Sequence, residues 1–406
     1  MYVSDSTLGM DEHRLEIATG DLFPPNEPSP RYRAIVRIGK GCYADVWLAR
    51  DLFHEQPRYV AIKIIAGDAD DDTPLETIIL RKIRALQDVR PPIDGSSNII
   101  RLQDDFKVMG PDGLVHHCLV TDVVVSLADR AVQLPQDPDF LRQIVRGFNF
   151  LHQNQIVHAD VHDGNFGLAL PDFGLGKSEQ EILDAFELEE PEDAQYPFDF
   201  GWALINLDAL PKPEECQAKI LDFGKAYQTD VGPLFRNFPG RRPRNNCPPE
   251  VSIFKLSTGK AGAVWGTEAD VWAVGCFLYD MWRGKSLMIW FLFDACFERS
   301  LYDCYRFGGD PPSLWNKYWD LNSFVSRFLE SLGNDRDDFY ANPYVLDREK
   351  AWDEGFGPPG CGSGHSLDQD LKFLTMMKKI IVTDPSQRLN MSQILNDPFW
   401  TSGLSG

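Results

Sequence analysis

The chain has 406 residues, 43% of them hydrophobic and 25% charged, enough apolar material for one large core or two coupled ones and too much for an unfolded chain. Its net charge of −21 argues against nucleic acid as a partner. No stretch reaches the roughly 18 uncharged apolar residues of a membrane span, and Met1 to Glu16 lack a secretion signal's basic start and apolar middle, so composition predicts a soluble intracellular protein with no membrane partner. The eight cysteines include no CxxC pair, which predicts reduced thiols and neither a disulfide frame nor zinc-ligand spacing.

In chain order, residues 1–30 end in "DLFPPNEPSP", whose prolines and turn-formers predict an extended arm. "RYRAIVRIG" and "YADVWLARD" are strand-like and predict a hairpin closed over Gly39-Lys40-Gly41. "RYVAIKII" is a further strand. "DDTPLETIILRKIRAL" predicts a helix that starts at Thr73 with Pro74 in its first turn, and "HHCLVTDVVV" returns to β character. From about Asp137 the period changes. In "DPDFLRQIVRGFNFLH" the residues Leu141, Ile144, Val145, Phe148 and Leu151 fall at helical spacing. "TEADVWAVGCFLYDMWRG" reads as a central helix capped by Thr267-x-x-Asp270 and stopped by Gly284. Near the end, "DEGFGPPGCGSGH" reads as a mobile loop in which Cys361 and His365 lack further metal ligands. The pattern is α+β: a small strand-rich front part and a larger, mainly helical back part, with no internal repeat and with the oligomeric state left open.

Three clusters carry chemistry. Gly39 and Gly41, between two strands, let backbone N–H groups approach phosphate oxygens because no Cβ blocks them; a plain hairpin turn explains these glycines equally well. "VAIK", residues 60–63, places Lys63 among apolar neighbours, where an ammonium needs an anionic partner. "IVHADVHDGNFG" sets Asp160 and Asn165 five apart, so that a carboxylate accepting a hydroxyl proton and an amide oxygen ligating Mg²⁺ converge on one phosphoryl group.

Taken in that order, the clusters make the chain resemble the protein kinase family from about Arg31 to Trp400. The likeness is to SR-protein kinases and related fungal kinases, through "GDLFPPNEPSPRYRAIVRIGKGCYADVWLARD" and "DPPSLWNKYWD". It implies a bilobal fold: an N-terminal extension over 1–30, an N-lobe over 31–122 and a C-lobe over 123–402. It also implies ATP and Mg²⁺ as cofactors, phosphoryl transfer to Ser or Thr, and a protein substrate, basic and Arg/Ser-rich, in cytoplasm or nucleus. The residues it assigns to ATP are Ile38, Gly39, Lys40, Gly41, Cys42, Tyr43, Ala44, Asp45 and Val46, with Ala61, Lys63 and Glu76. Asp160 would be the catalytic base, joined in the catalytic set by Lys63, Asn165 and His162. Glu250 in "CPPE" and Arg388 would form a fold-holding pair, and Asp270 would support the catalytic loop. Glu76 has a competing role, because Thr73-x-x-Glu76 is also a capping box and a glutamate turned back on its helix cannot hold Lys63.

Two tripeptides compete for the metal, Asp172-Phe173-Gly174 and Asp222-Phe223-Gly224. In this family a β-hairpin separates the asparagine from the metal aspartate, and two short strands with a turn need roughly eight residues. Only six separate Asn165 from Asp172, the last being Pro171, which donates no ladder hydrogen bond. "AKIL" supplies a strand directly before Asp222, so Asn165 and Asp222 are the expected metal ligands. Residues 171–218 then become an insertion, with 13 acidic residues against two lysines, and 222–250 the activation segment. Ser178-x-x-Glu181 predicts a short helix in the insertion, which otherwise reads as an acidic solvated loop, with docking of a basic substrate as the alternative. Four positions depart from the family pattern: Ala44 for a third glycine, Ala159 and Cys247 for arginines, and His162 for a lysine beside the γ-phosphate. They keep a pseudokinase scaffold as an alternative, and "DVHDGN" keeps a small-molecule kinase.

Overall fold

The computed structural model describes residues 13–25, 27–41, 43–69, 72–127, 138–170, 174–188, 203–205, 217–230, 247–288, 296–321, 323–324, 347–360 and 364–401. The chain forms two compact units. One draws on residues 1–135 and 166–221, the other on 136–165 and 222–406. The first is sheet-rich and the second mainly helical, the α+β division that the change of period predicts.

The first unit is built on a six-stranded antiparallel sheet of β1 (Leu22–Phe23), β2 (Tyr32–Lys40), β3 (Ala44–Asp51), β4 (Arg58–Ile65), β5 (Leu102–Met109) and β6 (Val115–Thr121), ordered β1-β2-β3-β4-β6-β5. Alternation sends Tyr32, Ala34, Ala49, Val60, Ile62, Ile64, Cys118 and Val120 into one core, which Leu15 and Ile17 of the preceding arm help to cover. The arm is not merely extended chain: Gly20 donates to the Ala34 carbonyl and Ala34 to that of Asp21, each at 2.8 Å. Helix α1 (Leu75–Gln87) buries Ile79, Leu80 and Ile83. It starts two residues later than Thr73, because Pro74 occupies the N-cap position and no side chain caps the helix. β5 has no counterpart among the predicted strands, since the adjacent acids Asp104 and Asp105 break its alternation.

A second, three-stranded sheet places Phe166–Ala169 between β7 (Val124–Ser126) and Gln217–Ile220. The outer pairing is antiparallel, from Phe166↔Ile220 to Ala169↔Gln217. Gly167 has to be glycine, because a Cβ there would lie 2.3 Å from the Val124 side chain and 2.7 Å from the Val125 carbonyl oxygen. Residues 170–216 leave and re-enter this sheet. Their described part is not a plain solvated loop. Helix Glu179–Ala185 opens with the expected capping box: the Ser178 N–H donates to Glu181 Oε2 at 2.7 Å, and the Glu181 N–H to Ser178 Oγ at 3.3 Å. Glu179 accepts from Arg33 on β2 at 3.3 Å and from Arg50 on β3 at 3.1 Å, Tyr59 donates to the Lys177 carbonyl at 2.9 Å, and Ile182 is buried.

In the second unit, α2 (Pro138–Gln153) buries the predicted apolar stripe. The helix Thr267–Arg283 is buried along most of its length and ends at Gly284, with φ +64°. Its start differs from expectation. Gly266 is the N-cap residue, without a side-chain cap, and Asp270 is turned to the loop after α2 instead. His365 also departs from the mobile-loop reading: its ring stacks on Trp282 with centroids 3.5 Å apart. Cys361 lies outside the described residues.

Candidate active site

In the first unit, β2 and β3 pair as Gly39↔Val46 and Lys40↔Asp45, with Ile38 preceding them on β2, and the turn is closed by Gly41 N–H donating to the Ala44 carbonyl at 2.8 Å. A Cβ on Gly41 would meet that carbonyl oxygen at 3.3 Å, so glycine permits the tight closure. Tyr43 at the tip is exposed, Ala44 buried, and Cys42 lies outside the described residues. Asp45 is engaged: Arg14 of the N-terminal arm reaches its carboxylate at 2.6 Å and the Gly41 carbonyl at 2.6 Å. Sequence reasoning missed this contact, for no local pattern links residues 31 positions apart.

Val46 faces Lys63 across β3–β4. Ala61 and Lys63 share one face of β4, while Ile62 and Ile64 point into the core. The Lys63 ammonium donates to both Glu76 oxygens, at 2.7 and 2.9 Å. The capping alternative is not adopted: Glu76 lies in the first turn of α1, but its buried carboxylate is directed at the strand lysine.

In the second unit, α2 is followed by Ile156–Val157, which pairs with Tyr227–Gln228, and then by the polar loop. Asp270, fully buried, suspends this loop. It accepts the backbone N–H groups of His158 at 2.8 Å and Ala159 at 3.1 Å, the Trp265 indole at 2.7 Å and the His152 ring at 3.1 Å. Burial alone would raise its pKa, but the hydrogen bonds from His152 and Trp265 and the nearby histidines outweigh it and hold the carboxyl below its ordinary value. Ala159 takes a left-handed φ of +62°, which turns the chain sharply before Asp160.

Asp160 is nearly buried. Its carbonyl accepts the side-chain N–H of Asn165 at 2.8 Å, fixing the two functional groups to each other across the loop. Its carboxylate is asymmetric. Oδ2 accepts from Lys225 at 2.9 Å, whereas Oδ1 is buried with no hydrogen-bond partner among the described residues. His162 stands off at 4.0 Å from Oδ2, and its Nδ1 accepts the Gly164 N–H at 3.1 Å. Asp222 has a left-handed φ of +53° and accepts the Gly224 N–H at 3.1 Å. Phe223, fully buried, packs edge-on against His158, centroids 5.1 Å apart. Asp172 and residues 231–246 lie outside the described residues.

The donor set suits a hard divalent cation. No group of three or more His, Cys, Asp or Glu among the described residues could hold a metal alone. The Asn165 amide nitrogen is committed to Asp160, which leaves its oxygen as the end for a cation. One carboxylate and one amide oxygen are the few protein ligands typical of an ion whose remaining positions belong to water and substrate phosphate. Away from this cluster, Arg388 grips Glu250 through two bonds of 2.9 and 3.1 Å, both side chains buried. Cys247 is half-buried, 3.5 Å from the Ser252 hydroxyl. Lys225 was not singled out from the sequence, although its place directly after Gly224 and the histidine at 162 were visible there.

Comparison with known proteins is consistent with this geometry. The family described as "Protein kinase domain" matches residues 32–184. A serine/threonine protein kinase of Aspergillus fumigatus is 23% identical over 420 residues, covering 98% of this chain and 92% of its own length. The SRSF protein kinase 3 of Mus musculus is 27% identical over 165 residues, 38% of this chain and 28% of its own. The serine/threonine-protein kinase SKY1 of Saccharomyces cerevisiae is 26% identical over 157 residues, 35% of this chain and 20% of its own.

Proposed function

We infer the function of this chain from its membership of the protein kinase family: it is a serine/threonine protein kinase that uses ATP and a divalent metal to phosphorylate protein. Lys63, oriented by Glu76, holds the α and β phosphates under the strand–turn–strand from Ile38 to Val46. Asn165 and Asp222 hold Mg²⁺, which when bound supplies charge neutralisation at the phosphates. Asp160 accepts the proton of the substrate hydroxyl. The observation that carries this reading is the Asp160–Asn165 pair, locked at 2.8 Å in a loop that hangs from Asp270. Phosphoryl transfer needs mainly such positioning and neutralisation.

The substrate class follows from the likeness to SRSF protein kinase 3 and from this chain's acidic charge, which favour a basic, Ser-rich protein over nucleic acid. Cytoplasm or nucleus is the matching location. No helix among the described residues is long and apolar enough to cross a membrane.

The test is to incubate the purified chain with labelled ATP and Mg²⁺, offering an Arg/Ser-rich protein and a small alcohol separately, beside Asp160→Ala. Label on the protein, lost in Asp160→Ala, is the expected result. Label on the alcohol would favour a small-molecule kinase. Nucleotide binding without transfer would leave a pseudokinase scaffold, the reading that Ala44, Ala159, His162 and Cys247 keep as the alternative.

A further inference from the structure

A carboxylate that takes a proton from a hydroxyl works best when it is held in a fixed position. Asp160 is held at one oxygen: Oδ2 accepts from the Lys225 ammonium at 2.9 Å, while Oδ1 is buried, with no hydrogen-bond partner among the described residues. Lys225 is anchored in turn, because it follows Asp222-Phe223-Gly224, with Phe223 buried against His158, and precedes Tyr227, whose strand pairs with Ile156–Val157. Both sides of the contact are therefore fixed by packing within one unit. Among the described residues His162 also lies near the carboxylate, but at 4.0 Å from Oδ2, with its Nδ1 accepting the Gly164 N–H. Residue 159 is an alanine. Among the described residues, the ammonium in contact with Asp160 is that of Lys225.

We propose that Lys225 is a catalytic residue of this kinase: its ammonium holds Asp160 through Oδ2 and neutralises the phosphoryl group as it passes to the substrate. This rests on the phosphoryl-transfer reading above. In the step, the substrate oxygen bonds to the γ-phosphorus of ATP as its proton moves to the Asp160 carboxylate. The bond from that phosphorus to the bridging oxygen breaks, and its electron pair leaves with ADP. Negative charge spreads over the three equatorial oxygens. An ammonium has three donors, and one on Asp160 leaves two for those oxygens. The family pattern has a lysine at position 162, where this chain has histidine; the ammonium on Asp160 belongs instead to residue 225.

The experiment relocates the charge. In Lys225→Met, kcat should fall about 100-fold, with KM for ATP changed less than about 3-fold. Lys225→Arg should stay within about 10-fold of wild type. Adding His162→Lys to Lys225→Met should recover about 10-fold or more, because position 162 already sits 4.0 Å from Asp160 Oδ2. A purely structural lysine would give no such rescue. Binding of ADP with aluminium fluoride, a mimic of the transferring phosphoryl group, supplies a readout apart from turnover: Lys225→Met should weaken it about 100-fold and leave ADP alone unchanged. Wild-type kcat in Lys225→Met, or a loss that His162→Lys does not restore while the thermal midpoint also drops, overturns the assignment and leaves the kinase reading intact. A wild-type chain that transfers no phosphate overturns both. Should Lys225→Met fail to fold, Lys225→Gln takes its place in the same measurements.

Discussion

Removing the Asp270 carboxylate should loosen the loop that carries Asp160. Four donors converge on it, His158 N–H and His152 Nε2 at Oδ2, Ala159 N–H and Trp265 Nε1 at Oδ1. Asp270→Ala strands them in a dry site. A buried donor left unpaired costs about 1–3 kcal/mol, and breaking a buried charged pair about 3–5 kcal/mol. These effects do not add fully, so about 4 kcal/mol is expected. Asp270→Asn should be milder. If its amide nitrogen takes the Oδ2 position, His152 can change tautomer and accept from it, so one backbone N–H is left facing a donor, at about 2 kcal/mol. Hydrogen exchange of a peptide spanning residues 156–161 reads this directly, because 1.4 kcal/mol is about a factor of ten in opening. Protection should fall about 30-fold in Asp270→Asn and about 1,000-fold in Asp270→Ala. The pH dependence has a fixed sign. A carboxyl whose folded pKa is depressed contributes stability above its ordinary value of 3.8, and that stability is lost as pH falls through the folded value. The gap between wild type and Asp270→Asn should therefore close below about pH 4. Equal loss in the two variants, or less than about 3-fold in both, would refute the claim that this carboxylate suspends the loop.

Other outcomes can be checked on the same protein. Glu250→Gln or Arg388→Met alone should lower stability by about 3–5 kcal/mol in urea unfolding, and the double variant by less than their sum, because each single change strands a buried partner. Lys63→Ala should abolish detectable transfer, and Glu76→Gln should lower kcat/KM about 10- to 100-fold, as steady-state assays would register. Glu179→Ala should cost less than about 1 kcal/mol, since its arginine partners are partly solvated, and the effect should shrink at high salt in thermal scans. Burial pushes the thiols of Cys118, Cys276 and Cys304 up, so mass spectrometry after brief alkylation should find Cys247 modified ahead of these three.

Local chemistry was legible wherever a residue's neighbours in sequence are its neighbours in space. The strand that carries Lys63, the stripe of α2, the box at Ser178 and Glu181 and the strand before Asp222 all follow from period and capping. What was not legible depends on partners supplied from elsewhere. Thr267 and Asp270 read as a cap because their spacing fits one, yet the acid serves a loop more than a hundred residues earlier. Glu76 offered two uses, and its strand partner decided between them. β5 escaped because a strand is stabilised by its neighbours as much as by its own alternation, and Asp104 earns its place there by accepting from Tyr32 and Arg31 on the far side of the sheet. For Lys225, the chemistry appears only once two loops 65 residues apart are seen together.

The arm that precedes the family match has a practical consequence. The family match begins at residue 32, and a recombinant protein trimmed to that boundary would look complete by that match alone. It would lack Arg14 at the base of the glycine turn, Leu15 and Ile17 over the sheet's core, and β1 at its edge. The packed unit therefore starts upstream of the family match, and a shortened version that precipitates or binds ATP weakly would be reporting on a missing piece of its own N-terminus.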